Sequence, residues 1–320
     1  IMFNNNLLII LATSFLISSP LDYAKPKLSE FGFFKDPLNL QNPTEGVIPY
    51  SIASPLFSDY AEKKRFIKIP DNQKLRINSD GSFNYPEGSV LIKTFYYPYN
   101  FNEPKKNHRI IETRLIIKTE NDWVALPYVW NLDQTDAILE IAGDQLPVQW
   151  IDKNNNTVNI EYSVPNMNQC KGCHVYKNEF TPLGPKLRNL NFSYHYNDSS
   201  FNQIDRWVEL GILEAKSLIL DLPRSINYEN QHLGNVDERA RAWLDVNCAH
   251  CHRFNGGGAA KIYLPFDMQI HKTEAIATRP TQGTFGIHDA MIIAPTDPYR
   301  SVLYFRMAKS GPGHMPHLGS

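Results

Sequence analysis

The chain has 320 residues, 42% of them hydrophobic, enough apolar material for about two domains with cores of their own. Lys and Arg number 32 against 33 Asp and Glu, a net charge of −1 with a pI near 6.9. The whole-chain charge therefore offers no electrostatic footprint for nucleic acid or for an anionic membrane surface.

Residues 7–17 form an apolar run followed by Ser18-Ser19-Pro20, which predicts a secretory signal peptide over residues 1–19. The run is too short to span a bilayer core of about 30 Å, so no stable transmembrane anchor is expected. No Lys or Arg precedes it, which leaves a buried strand or a retained anchor as the alternative. No cysteine follows it, which excludes a lipoprotein anchor. The first residue is Ile, as expected of a fragment or of a translation begun too far upstream.

Residues 28–165 read as β structure. Residues 64–70, 89–97 and 111–118 are rich in β-branched and aromatic side chains, and turn clusters such as Asn78-Ser79-Asp80-Gly81 and Asn154-Asn155-Asn156 separate such runs. This predicts an antiparallel, sandwich-like β-rich domain. Within it, Trp130-Asn131-Leu132-Asp133-Gln134-Thr135-Asp136 reads as a polar turn, with a carbohydrate or cation site as the rarer use of such residues. Arg109, Glu112 and Arg114 read as surface charges on a half-buried strand.

From residue 166 the pattern turns helical. Residues 202–210 end at Gly211, residues 236–247 open on acids with Ala240, Trp243, Leu244, Cys248 and Cys251 on one face, and Asp297-Pro298 looks like a cap with proline at N1. The expected fold class is α+β, with a β-rich domain at 28–165 followed by an α-helical domain at 166–320.

All four cysteines lie in two copies of one pattern, Cys170-Lys171-Gly172-Cys173-His174 and Cys248-Ala249-His250-Cys251-His252. C-x-x-C-H is the signature of c-type haem attachment. Two thiols three residues apart reach the two vinyl groups of one porphyrin, and the imidazole that follows falls under the iron. Zinc ribbons separate their C-x-x-C pairs by about 15–20 residues, far less than here. Thioredoxin-like chemistry wants a βαβ context, and structural disulfides leave the repeated histidine unexplained. Two covalent haem c groups are expected, on Cys170, Cys173, Cys248 and Cys251, with His174 and His252 as iron ligands and His250 facing outward.

The sixth ligand decides whether a haem is a carrier or a reactive centre. Met315, in the proline-stiffened loop Gly311-Pro312-Gly313-His314-Met315-Pro316, is the candidate for the second haem, a soft sulfur that favours Fe(II). The first haem has no such loop. Met167, His195, Met268, Met291 and Met307 are its candidates, and an open position is the other choice.

The succession Gly46-Val47-Ile48-Pro49-Tyr50, Pro55-Leu56-Phe57-Ser58-Asp59-Tyr60-Ala61, Asn168-Gln169 with the first motif, Pro182-Leu183-Gly184-Pro185-Lys186 and the second motif resembles a family of exported bacterial dihaem c-type cytochromes, largely catalogued as hypothetical proteins. The resemblance covers most of the chain. It implies two haems, a periplasmic or secreted location, and a redox partner protein, with some relatives associated with sugar dehydrogenases. The expected function is electron transfer by Fe(II)/Fe(III) cycling. The alternatives are a dihaem peroxidase with one open-site haem, which would make the chain an enzyme, and a glycan-binding module with accessory haems. A cytochrome c domain carries a closing helix after its methionine loop, and a chain ending at Ser320 predicts truncation there.

Overall fold

The computed structural model describes residues 19–196, 199–214 and 222–317, so nearly all of the expected signal peptide lies outside the described residues. A six-stranded antiparallel meander dominates the fold: β1 (Val47–Tyr50), β2 (Glu62–Lys68), β3 (Val90–Pro98), β4 (His108–Lys118), β5 (Trp123–Trp130) and β6 (Ala137–Leu139), each paired with its sequence neighbour. A long hairpin, β7 (Asp144–Ile151) with β8 (Thr157–Val164), packs against it through Val148, Trp150, Tyr162 and Val164. The other sheets among the described residues are two-stranded ribbons, so no second extended sheet completes a sandwich.

The central strands are covered on both sides, which is why Ile110, Ile111, Glu112 and Thr113 are buried in succession. One face carries Phe66, Ile92, Leu115 and Leu126 against Leu28, Phe33, Phe34 and Leu38 of the N-terminal segment. The other supports two cores. Ile67 and Leu91 pack with Leu187, Leu190, Ile204 and Trp207, while Phe95 and Ile111 pack under the β7–β8 hairpin. A cleft lies between them.

The expected α-helical domain over residues 166–320 is not what forms. The protein is mostly β, and the described residues hold only five helices: α1 (Met167–Cys173), α2 (Leu187–Leu190), α3 (Gln203–Glu209), α4 (Val236–Asn247) and α5 (Val302–Ala308). The caps specify where helices start: the side chains of Asn202 and Asn235 accept backbone N–H bonds that open α3 and α4. They do not make them long. Asp297 caps a single 3-10 turn, Pro298–Arg300, before α5. Between Arg253 and Ser301 the run Gly256-Gly257-Gly258 and Pro265, Pro280, Pro295 and Pro298 interrupt any helical period, leaving turns and isolated bridges around a small core of Ala249, Ile262, Leu264, Ala275 and Ile292.

One strand feature differs from expectation, and one polar segment forms the turn expected of it. Glu112 is fully buried, accepting hydrogen bonds from the Tyr162 hydroxyl and from Arg114 Nε at 2.9 Å, so the charges of β4 are not all on the surface. The 130–136 segment resolves as a turn: Asn131 Oδ1 accepts from Thr135 N at 2.9 Å, Asp136 accepts from Ser29, and Gln134 accepts from Ile110 N.

Candidate haem and metal site

The two C-x-x-C-H segments close the cleft and share one local geometry. In each, the histidine N–H donates to the carbonyl of the first cysteine, His174 to Cys170 at 3.0 Å and His252 to Cys248 at 2.9 Å, closing a helical turn. The first motif lies on α1 and just past it. The second follows α4, whose last turn is pinned by two carboxylate and amide contacts. Asp245 pairs with Arg188 and accepts from Phe266 N, and the buried Asn247 accepts from Phe57 N at 2.8 Å while donating to Trp243 O.

Each motif histidine also directs Nδ1 at a backbone carbonyl a few residues on: His174 at Thr181 O, 3.1 Å, and His252 at Ala260 O, 3.4 Å. A carbonyl has no proton to give, so Nδ1 carries the proton and Nε2 keeps its lone pair for a metal. Burial, and then the nearby Lys93 charge, pushes the His174 imidazole down to about 3, and burial likewise lowers His252. Both rings are neutral in ordinary buffers, as ligation requires. His174 stacks on Phe180 at 5.1 Å between centroids.

The motifs meet. Cys173, His250 and Cys251 bring their ligand atoms within 4.8 Å of one another. Tyr176 bridges to Gly256, Lys177 N donates to Asn255 O at 3.1 Å, and the Arg253 guanidinium lies over the Tyr176 ring. Two glycines after the second motif lie tight against it: a Cβ on Gly256 would run into Cys251 O, and one on Gly258 would lie 2.8 Å from His252 Nδ1. Contrary to expectation, His250 faces inward. It lines the cleft, and its Nδ1 is buried without a hydrogen-bond partner.

The cleft consists of two adjoining cavities that share much of their lining. His174, His250, Leu56, Lys93, Arg114 and Leu183 line both. Cys170, Cys173 and Pro316 border the second. The donor set, the fixed tautomers of His174 and His252 and a partly apolar cleft beside Cys170, Cys173 and His174 suit a haem c group at the first motif, whereas Cys248, Cys251 and His252 border neither cavity.

The α4 face expected to meet a haem is displaced. Ala240 is exposed, and Asp245, Val246, Ala249 and His250 line the cleft instead. The Met315 loop lies beside both motifs, since Pro316 borders the cavity with Cys173 and the His317 charge reaches His252. Met315 N donates to Arg306 O at 3.1 Å. Of the other candidates, Met167 packs on the sheet core, and His195 sits exposed on a ribbon with Nδ1 3.2 Å from the Ser200 hydroxyl. Met268, Met291 and Met307 are half-buried in the C-terminal region.

Sequence reading missed His250, Arg65 and Lys93. A cation beside an apolar pair, Arg65 before Phe66-Ile67 and Lys93 after Leu91-Ile92, was the available signal. Compared with protein families, curated proteins and solved structures, the chain finds no match. No helix among the described residues is long and apolar enough to cross a membrane.

Proposed function

We propose that the chain is a dihaem c-type cytochrome of the exported bacterial family its motifs resemble, a periplasmic or secreted electron carrier serving a partner dehydrogenase. The observation that carries this reading is the duplication of geometry: two C-x-x-C-H turns, each with its histidine Nδ1 engaged by a carbonyl and Nε2 left free. Cys170 and Cys173 would hold one haem and Cys248 and Cys251 the other, through thioether bonds to its vinyl groups. When bound, haem supplies reversible one-electron exchange between Fe(II) and Fe(III). The chain's own residues do the rest. His174 and His252 present neutral imidazoles, Thr181 and Ala260 hold their tautomers, and Met315 offers a thioether that favours the reduced state of the second haem.

Mass spectrometry of the full chain made with haem-attachment machinery tests this. Two added haems are expected, and one after Cys170→Ala with Cys173→Ala. Zinc with no haem overturns the reading.

A second reading is favoured by the Cys173, His250 and Cys251 cluster, whose soft donors suit zinc or copper(I). Thioether formation consumes both sulfurs, so the two readings exclude one another in one molecule. Metal analysis beside the haem mass separates them.

A further inference from the structure

The sheet face that looks onto the cleft carries a row of cations. Cross-strand register sets Arg65 of β2 opposite Lys93 of β3, and Lys93 opposite Arg114 of β4. Residues directly opposite one another point to the same face, and like charges in that relation destabilise a sheet. Burial sharpens the conflict. Arg65 is only 8% exposed, and the Lys93 ammonium is pushed well below its ordinary range by burial and then by Arg65, Lys63 and Arg114.

Counter-charge is short. The buried Glu112 is already engaged by Arg114 and by Tyr162. Among the described residues neither Arg65 nor Lys93 forms an ion pair, and the buried Nη2 of Arg65 has no hydrogen-bond partner. Lys93 Nζ rests over the Phe95 ring at 4.6 Å. Buried charges are normally paired; Arg114 has Glu112, but Arg65 and Lys93 have no such partner, which implies that theirs comes from outside the chain.

All three cations line the larger cavity with His174, and Lys93 and Arg114 also line the second with Cys170 and Cys173. We propose that Arg65, Lys93 and Arg114 form a cradle for carboxylates, and that they take the propionates of the haem attached at Cys170 and Cys173. The second part rests on the dihaem reading. Guanidinium forks and an ammonium are the donors that bind carboxylates with charge-assisted hydrogen bonds. The β-sheet is then one wall of the first haem's site, and its positive row raises that haem's potential by favouring the less positive iron.

The test compares Arg65→Gln, Lys93→Gln and Lys93→Arg in the full chain made with haem-attachment machinery, by haem mass and by spectroelectrochemical titration of both haems. Lys64→Gln, which removes the same charge from the opposite face of β2, is the control. The expected result is two haems in every variant, with one midpoint falling by about 59 mV in the Gln variants, a tenfold change in the ferrous-to-ferric ratio for one electron. Lys93→Arg and Lys64→Gln should keep the parental values. Two attached haems with both midpoints unmoved in Arg65→Gln and Lys93→Gln overturn the cradle while leaving the dihaem reading intact. An equal fall in Lys64→Gln also overturns it, since charge at any site on the sheet would then suffice. A parent chain that takes up no haem overturns the dihaem reading itself, and the propionate assignment with it.

Discussion

The sulfur atoms of Cys173 and Cys251, one from each C-x-x-C-H motif, lie within 4.8 Å of each other, with the His250 imidazole equally close. In the haem-free chain this makes the four thiols unequal. Cys251 and then His250 stabilise the Cys173 thiolate and hold its pKa well below the usual thiol range, whereas burial pushes Cys248 up to about 12. The thiolate is the nucleophile. Cys173 and burial push the Cys251 thiol up as well, so time-resolved iodoacetamide labelling of the haem-free full chain at neutral pH, read by peptide mass, should modify Cys173 first, ahead of both Cys248 and Cys251. Four equal rates would show that the sulfurs are not in contact.

Glu112 is the acid that compensates part of the cation row, 0% exposed and bonded to Arg114 and Tyr162. Glu112→Ala leaves Arg114 beside Lys93 with no counter-charge. The expected loss is about 3–5 kcal/mol of folding stability, the usual cost of breaking a buried pair from one side. Urea unfolding of the haem-free chain measures it, and a loss under about 1 kcal/mol would place Glu112 in contact with water.

Lys63, on the same strand as Arg65, is pushed by burial from its ordinary 10.5 down to about 8. Between those values the unfolded chain keeps a proton that the folded chain has released, so stability rises with pH from about 8 to 10.5. Below that window both states are protonated and the folded chain bears the full penalty of the buried ammonium. Lys63→Met should therefore be more stable than the parent at pH 7, with a smaller rise across the window. Urea midpoints at several pH values decide, and parallel profiles without an offset at pH 7 would refute the assignment.

Met315 stands in a loop whose next residue, Pro316, borders the cavity that holds Cys173, and whose His317 acts on His252. Met315→Ala should keep two covalent haems, because thioethers and the motif histidines do not depend on the loop. It should also turn one haem high-spin or open to added ligands and lower its midpoint, since the sulfur that favours Fe(II) is gone. Met315→His should stay low-spin at a more negative midpoint. If Met315→Ala leaves both potentials and the ferric spectrum unchanged, Met307 is the methionine to replace next.

What the sequence determined by itself is local chemistry. The C-x-x-C-H spacing sets two thiols and an imidazole on one turn whatever surrounds them, and the His174 and His252 turns close through the same backbone bond. Runs such as 89–97 and 111–118 declare strands through their own β-branched and aromatic residues, and Asn202 and Asn235 mark helix starts because a cap needs only the next few residues. Tertiary structure decided the rest. Helix length after residue 166 is set by packing, and the glycine and proline punctuation of 253–301 left too little periodic apolar surface for an α-helical domain. The inward turn of His250 depends on α1, which is remote in sequence. The alignment of Arg65, Lys93 and Arg114 depends on strand register, which no single strand contains, so of the row of cations that defines one wall of the cleft only Arg114 was singled out, as ordinary surface charge.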